Sequence, residues 1–224
     1  MYKVIGIDEA GKGPVIGSLV IGFAIINLEK KEDLNSYLKY LEEKGVKDSK
    51  KLTPKKRREL YADLKNNMDL KFVQLTPALI DSNFNKGGKL NDLEIEAIVK
   101  ILESEKPNLF IVDSLTAEPQ KFVRKILDKL SFKPDFISEN KADDNYTIVA
   151  AASIIAKELR EEELKQIREN LNIEVGSGYP SDPKTIEFLK NNFYKKEYDF
   201  LFRKSWKTYQ KLVKDSQKNL EDYF

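Results

Sequence analysis

Four acidic residues stand at the ends of apolar segments: Asp8, Glu9, Asp113 and Asp143. Taken singly, an acid in such a place is usually a turn former or a helix cap. Taken together, in a chain that has no His and no Cys, the four acids favour a metal site. Carboxylate oxygens are hard ligands that suit Mg²⁺ or Mn²⁺. We therefore predict that these side chains form a catalytic site that binds one of these ions.

The two missing residue types exclude several kinds of chemistry. Without Cys and His the chain cannot form disulfides, Cys/His zinc sites, Ser-His-Asp triads or cysteine nucleophiles. A hot habitat would also fit the absence of Cys and the 34% of charged residues, and both explanations can hold together. The 41% of hydrophobic residues is enough for a real core.

A phosphate-binding loop is an alternative explanation of the segment Gly6-Ile-Asp-Glu-Ala-Gly-Lys-Gly13. Its spacing of glycines and lysine is that of a P-loop, but Gly13 stands where such a loop needs Ser or Thr to hold Mg²⁺. Asp8 and Glu9 would also repel the phosphates. These departures argue against nucleotide hydrolysis.

The elements that carry the acids follow from hydrophobic periodicity. Residues 2–8 and 18–26 are predicted as neighbouring strands, and residues 70–75, 109–113 and 134–138 as three more. Residues 33–43, 54–66, 90–102, 119–130 and 145–170 are predicted as helices, the second with Thr53 as its cap and Pro54 in its first turn. Two neighbouring strands followed by alternating helices and strands predict an α/β fold with a mixed sheet.

Further residues suggest contacts with an anionic polymer. Ser153 and Lys157 share one face of the alanine-rich helix, which is otherwise a small-residue packing face. Lys50 lies in Val46-Lys-Asp-Ser-Lys-Lys-Leu-Thr53, which is either a charged loop or a phosphate-binding segment. Residues 184–218 hold ten Lys and Arg against four Asp and Glu, a net charge of +6 in a chain whose total is +2. The aromatic residues of this basic tail are expected to be mostly core.

The location and the division of the chain are also predicted. Residues 15–26 form the longest apolar window and fall short of the roughly 20 residues that a membrane span needs. The acids at positions 8 and 9 stand where a signal peptide would be apolar, so a cytoplasmic location is expected. The glycines before the basic tail suggest a boundary near residue 175, between a main domain of residues 1–175 and an extension of residues 176–224 that packs on it.

The order of these motifs resembles that of the type 2 ribonucleases H (ribonuclease HII), most closely the archaeal branch. The resemblance covers nearly the whole chain. It rests on Gly-Ile-Asp-Glu-Ala-Gly-Lys-Gly-Pro14, Lys-Asp-Ser-Lys-Lys-Leu-Thr53, Asp113, Lys-Ala-Asp143, Ala-Ala-Ser-Ile-Ile-Ala-Lys157, Gly-Ser-Gly-Tyr-Pro-Ser-Asp-Pro183 and Arg-Lys-Ser-Trp-Lys-Thr208.

The resemblance implies roles for particular residues. Asp8, Glu9, Asp113 and Asp143 match the four catalytic acids of the family, Gly11, Lys12 and Gly13 match its loop that senses the ribose 2′-hydroxyl, and Tyr179 matches the aromatic that stacks on the adjoining sugar. The implied fold is the ribonuclease H-like fold, with a mixed five-stranded sheet flanked by helices and a C-terminal helical substrate-binding part.

Two residues depart from the family pattern. Lys12 stands where the family usually has Arg, which replaces a bidentate fork with a point charge. Asn140 stands where many members have His, so a histidine-assisted step is absent. Substrate affinity or the preference for a particular junction can therefore differ from that of the family.

The implied activity is hydrolysis of RNA paired with DNA and of duplex DNA at embedded ribonucleotides, leaving 3′-hydroxyl and 5′-phosphate ends. Two Mg²⁺ or Mn²⁺ ions would supply the chemistry, with Asp8 as the best candidate to bridge them. Lys50, Lys157, Lys204 and Lys207 would hold phosphates, and the protein is expected to be monomeric. Two alternatives stay open: a non-catalytic binder of RNA/DNA hybrids, and a DNA nuclease on the same fold.

Overall fold

The computed structural model describes residues 1–47, 52–114 and 118–221. The described chain divides into two compact units. The first comprises the described parts of Met1–Ala10, Val20–Gln74 and Asn91–Leu159. The second comprises those of Gly11–Leu19, Leu75–Leu90 and Arg160–Phe224. The predicted division near residue 175, between a main domain and an extension packed on it, stays a prediction.

A mixed five-stranded sheet organises the described chain, as predicted. Its strands lie in the order β3-β2-β1-β4-β5. Strand β1 pairs with β2 in the antiparallel direction and with β4 in the parallel direction, and β4 pairs with β5 in parallel. The strands are β1 (Tyr2–Ala10), β2 (Leu19–Leu28), β3 (Asp69–Leu75), β4 (Leu109–Asp113) and β5 (Asp135–Glu139).

Helices connect and follow these strands. They are α1 (Leu34–Glu43), α2 (Pro54–Asn67), α3 (Pro77–Asn85), α4 (Leu90–Glu105), α5 (Pro119–Leu127), α6 (Ala142–Asn145), α7 (Thr147–Leu171), α8 (Pro183–Asn192) and α9 (Lys207–Glu221). Two 3₁₀ helices, Lys31–Asp33 and Lys196–Leu201, complete the regular structure of the described residues. Thr53 caps α2 as predicted, because its side chain accepts a hydrogen bond from the Lys56 N–H.

The sequence interpretation missed helix α3 and the short helix α6. Helix α3 begins with the same signal as α2: Thr76 accepts a hydrogen bond from the Leu79 N–H and Pro77 follows it. The alanine-rich helix was expected to start at residue 145. In the structure the short helix α6 comes first, and the extended residue Tyr146 separates it from α7.

The core of the first unit forms where the start of α7 packs on the sheet. Ala150, Ala151 and Ala152 are buried to 1% exposure or less. On the strands beneath, a Cβ added to Gly6 would meet the Ile148 carbonyl, and one added to Gly22 would meet the Ala152 carbonyl. The small residues on both sides therefore let the helix backbone approach the sheet closely, which agrees with the predicted packing role of the alanines.

The second unit has an apolar core of its own. Val15, Ile16, Leu164, Leu189 and Leu201 are at most 1% exposed there. Six aromatic residues of the basic tail lie in this core or pack against it, which confirms the expectation for most of the rings: Phe188, Phe193, Tyr198, Phe202, Trp206 and Tyr209. Phe200 differs, with 55% of its surface exposed.

In the ranges that the structure describes, no helix is both long and apolar enough to cross a membrane.

Candidate active site

Two of the predicted acids lie near the carboxyl ends of neighbouring strands of the first unit. Asp113 is the last residue of β4, and Asp8 lies in β1 one position beyond Ile7, which is in register with Val112. The two strands are parallel, so their carboxyl ends meet at one edge of the sheet. Asp143 follows β5 in the chain and lies in helix α6, where it is 2% exposed.

Asp8 occupies an electrostatically unfavourable place. It is 5% exposed, and burial raises the pKa of its carboxyl from 3.8 to about 7. That value includes a smaller raising contribution from the charges of Asp113 and Asp143, and the opposing effect of hydrogen bonds from the Ser153 hydroxyl and the Glu9 backbone. The Glu9 N–H donates to Asp8 Oδ1 at 2.7 Å. A cation beside Asp8 would favour the ionised form that burial disfavours.

Asp113 connects the end of β4 to α6. Its Oδ1 accepts a hydrogen bond of 3.0 Å from the Ala142 N–H, one residue before Asp143. Lys141, in the left-handed conformation with φ 63°, turns the chain from β5 into this helix. This hydrogen bond holds the end of β4, which carries Asp113, against the start of α6, which carries Asp143.

Glu9 lies in the same strand as Asp8, one position later. Strand β1 runs to Ala10, two residues beyond the predicted end, so Asp8 and Glu9 both have extended backbone. Successive strand residues point to opposite faces, and the strand alone does not bring both carboxylates to one side. The prediction that the strand ends at Asp8 was wrong, and Glu9 is half-buried.

The donor set fits Mg²⁺ or Mn²⁺ by its chemistry. All four candidates are carboxylates, and Asp113 and Asp143 are near enough to Asp8 for their charges to raise its pKa. Among the described residues, however, no three acidic side chains stand close enough together to hold one ion as they are placed. Binding through three carboxylates would therefore require these side chains to move.

Two other predicted contacts of the first unit, Ser153 and Lys157, lie on α7. Ser153 is 1% exposed, and its hydroxyl is hydrogen-bonded to Asp8. Lys157, one helical turn later, is half-buried. Lys50 lies outside the described residues. The predicted substrate contacts of all three stay predictions.

The second unit brings together Tyr179 and residues 11–17, which we call the glycine loop. A Cβ on Gly13 would lie 3.4 Å from the Tyr179 ring, and both residues are exposed, Tyr179 by 39%. Gly11 is buried at φ 92°, a conformation that favours glycine, and a side chain there would meet Arg160. Lys12 is half-buried between these glycines.

Four charged residues around this loop were not singled out from the sequence. Arg160 and Arg203 are 4% and 0% exposed. Glu163 accepts hydrogen bonds from the Ser18 N–H at 2.9 Å and the Ser18 hydroxyl at 2.5 Å. Asp81 accepts from the N–H groups of Lys204 and Ser205. Nothing in a sequence rich in surface charge distinguishes a buried arginine from a solvated one, so only the tertiary contacts reveal them.

The two tail lysines singled out from the sequence have different surroundings. Lys204 forms an ion pair of 2.8 Å with Asp199. Lys207 is exposed at the start of α9. A phosphate would compete with Asp199 for Lys204, so Lys207 is the better probe of the tail.

Comparisons with known proteins show which family the chain resembles. The family model described as Ribonuclease HII matches residues 5–209. A ribonuclease HII of Thermococcus kodakarensis is 39% identical over 98% of this chain and 94% of its own length. The crystal structure of the ribonuclease H2 from Pyrococcus horikoshii superposes with a TM-score of 0.83 and 41% identity, covering 96% of this chain and 99% of that one. The PCNA:RNase HII complex from Archaeoglobus fulgidus matches with a TM-score of 0.78 and 35% identity, covering 91% of this chain and 95% of that one.

The sheet order and these superpositions define a nuclease of the ribonuclease H-like fold. The match over residues 5–209, together with relatives of about 40% identity over nearly the full length, narrows the class further. The chain belongs to the ribonuclease HII family.

Proposed function

We propose that the protein is an endonuclease that hydrolyses the RNA strand of RNA/DNA hybrids and cuts duplex DNA at embedded ribonucleotides. The observation that carries the proposal, beyond family membership, is the buried carboxyl of Asp8 with Asp113 and Asp143 near enough to raise its pKa. A fold gains no stability from clustered buried acids, whereas a site for divalent ions does need them.

Asp8, Glu9, Asp113 and Asp143 would hold the ions. Two Mg²⁺ or Mn²⁺ ions, when bound, would lower the pKa of a water molecule and stabilise charge on the leaving oxygen of the phosphodiester. Ser153 would hold the Asp8 carboxylate in place through its hydroxyl. Gly11, Lys12 and Gly13 would contact the ribose and Tyr179 the adjoining deoxyribose. Lys50, Lys157, Lys204 and Lys207 would hold phosphates, which fixes the register of the duplex without reading its sequence.

A comparison of three substrates tests the proposal against its rivals. Purified protein in Mg²⁺ should cut an RNA/DNA hybrid and a DNA duplex with one ribonucleotide, leave an all-DNA duplex of the same sequence intact, and lose activity in EDTA. A non-catalytic hybrid-binding protein would bind the first substrate without cutting it. A DNA nuclease would cut all three.

The ring of Tyr179 should contribute most at a ribose-to-deoxyribose step. A ring stacked on a sugar tolerates a missing 2′-hydroxyl, so the exposed ring beside Gly13 suits the DNA side of the junction. We expect Tyr179→Ala to lower kcat/KM on a duplex with one ribonucleotide by a factor that corresponds to about 1 to 3 kcal/mol, the usual value of such stacking. The loss on a continuous hybrid should be smaller. Tyr194→Ala removes a more exposed ring of the same unit and serves as the control. Equal losses on both substrates for Tyr179→Ala would mean that the ring supports its loop only.

The basic tail should act through its charge. We expect Lys207→Glu to weaken binding similarly for all duplex sequences and to lower the slope of log affinity against log salt by about one, as for a lost phosphate contact. Lys204→Glu should have a similar effect, with added repulsion from Asp199. Lys100→Glu makes the same charge change on the exposed side of α4 and is the control. If Lys207→Glu leaves the salt dependence of the affinity unaltered, the basic tail does not contact the phosphates of the duplex.

We further propose that the protein binds PCNA, because the solved relative from Archaeoglobus fulgidus is described as a complex with PCNA. Gel filtration with and without purified PCNA measures this association, and also tests the expectation that the protein alone is monomeric. A cytoplasmic location stays a prediction.

A further inference from the structure

Two arginines are buried beside the glycine loop of the second unit. Arg160 lies in α7 and Arg203 follows the 3₁₀ helix Lys196–Leu201, and they are 4% and 0% exposed. Burial, together with the charge of Arg160, lowers the pKa of Arg203 to about 10. Within the described residues, Arg160 Nε and Arg203 Nη2 make no hydrogen bond. Both guanidinium groups are therefore incompletely satisfied.

Arg203 holds the loop at both ends. Its Nη1 donates to the Lys12 carbonyl at 3.2 Å and its Nε to the Gly17 carbonyl at 2.8 Å. Its backbone N–H donates to the Val15 carbonyl at 2.9 Å. The guanidinium also lies over the Trp206 ring, 4.9 Å from the centroid, which offsets part of the cost of burying the charge.

Arg160 holds the segment that carries Tyr179. Its Nη2 donates to the Ser177 carbonyl at 2.7 Å, and its guanidinium lies 5.1 Å from the centroid of the Tyr179 ring. The same side chain fills the space beside Gly11, where a Cβ would lie 2.7 Å from Arg160 Cδ. Arg160 therefore touches the glycine loop on one side and the aromatic ring on the other.

The fold alone does not account for these residues. Burial lowers the pKa of both arginines even though the charge of Glu163 acts in the opposite direction, so the cost of burying the two guanidinium groups is not fully offset. Apolar side chains of similar size often replace such buried charged groups without loss of stability. The side-chain hydrogen bonds of both arginines go to carbonyls of the glycine loop, at Lys12 and Gly17, and of the segment that carries Tyr179, at Ser177. What the arginines provide is the position of these segments.

The bond to Lys12 also sets the direction of a peptide group. The carbonyl and the following N–H of a trans peptide point in opposite directions. Because the Lys12 carbonyl is held by Arg203, the Gly13 N–H is turned away from Arg203. The ring of Tyr179 lies on the exposed side of Gly13. The Lys12–Gly13 peptide, whose direction is set by Arg203, therefore lies next to the ring of Tyr179.

We propose that Arg203 and Arg160 are positioning residues for sugar recognition: Arg203 orients the Lys12–Gly13 peptide for the ribose, and Arg160 holds the Tyr179 ring for the adjoining deoxyribose. This inference rests on the proposed function. It adds two residues that touch no substrate and act through the loop and the ring.

The test compares discrimination ratios, which a loss of stability alone does not change. For Arg203→Met, the affinity ratio between a duplex with one ribonucleotide and the same all-DNA duplex should fall about tenfold, as for one lost charge-assisted hydrogen bond. For Arg160→Met, kcat/KM should fall more on the single-ribonucleotide duplex than on a continuous hybrid. Combined with Tyr179→Ala, Arg160→Met should add little further loss, because both changes remove the same contact.

Two kinds of control keep the result interpretable. Leu189→Ala removes a buried apolar side chain from the core of the same unit while keeping both arginines, and it should leave both ratios unchanged. Arg203→Lys and Arg160→Lys keep the charge. The same ratios are measured on these Lys variants if the Met variants do not fold. One ammonium cannot reach both the Lys12 and Gly17 carbonyls as the fork does, so Arg203→Lys should still lower its ratio.

The outcomes separate this inference from the function on which it rests. A wild-type protein with no preference for the ribonucleotide substrate would overturn the proposed function and this inference with it. A wild-type protein with that preference, together with Arg203 and Arg160 variants that keep the wild-type ratios, would overturn this inference alone.

Discussion

Asp8→Asn should abolish cleavage while substrate binding survives. Asp8 is a buried acid near the carboxyl end of β1, which pairs with β4, and we propose that its carboxylate would hold the ions. Metal ions supply several kcal/mol of transition-state stabilisation, and about 1.4 kcal/mol corresponds to tenfold in rate, so we expect turnover to fall at least about 10³-fold. The measurement is turnover together with affinity for an RNA/DNA hybrid.

Asp144→Asn is the matched control for this variant. Asp144 is an exposed acid of α6, next to the buried Asp143, and the same change there should leave turnover close to that of the wild type. If Asp8→Asn keeps turnover within about tenfold of the wild type, Asp8 is not the central ligand.

The second large effect is on the stability of the metal-free protein. The pKa of Asp8 is about 7 in the folded protein against an ordinary value of 3.8. Between these values the folded state binds more protons than the unfolded state, so the free energy of unfolding decreases as the pH rises. The destabilisation is absent below pH 3.8 and complete above about pH 7.

Removing one charge of the cluster should therefore raise the metal-free melting temperature. We expect Asp113→Asn or Asp143→Asn to raise the free energy of unfolding at pH 8 by about 1 to 2 kcal/mol. For a domain of this size that corresponds to a rise in melting temperature of roughly 2 to 8 °C. Asp8→Asn should show the same gain at pH 8 and lose it toward pH 4. Added Mg²⁺ should raise the melting temperature of the wild type more than that of Asp8→Asn. Unchanged or lowered melting for both the Asp113 and Asp143 variants would contradict a tight cluster.

Local patterns predicted the elements that carry the acids because burial imposes a strong signal on short strands. The apolar run Leu109–Asp113 was placed at its observed bounds, and the strands on either side of it shift by only one or two residues. The alanine-rich start of α7 indicated close packing, and the structure adds Gly6 and Gly22 as its counterpart on the sheet. The order of the strands depends on long-range pairing and did not follow from these patterns.

The environment of the site could not be read from local pattern in the same way. The raised pKa of Asp8 depends on burial and on the charges of Asp113 and Asp143, which lie more than a hundred residues away in the chain. Arg160 and Arg203 resemble surface cations in the sequence, and only their contacts with Tyr179 and Lys12 reveal their role. Helix α3 is a different case, since Thr76 and Pro77 carried a usable start signal.

Cleavage of a DNA duplex that contains one ribonucleotide tests the central claim most directly. The account predicts one cut at the ribonucleotide in Mg²⁺, products with 3′-hydroxyl and 5′-phosphate ends, and no cut in EDTA or in the same duplex without the ribose. Binding without cleavage under these conditions, or equal cleavage of the all-DNA duplex, would contradict it.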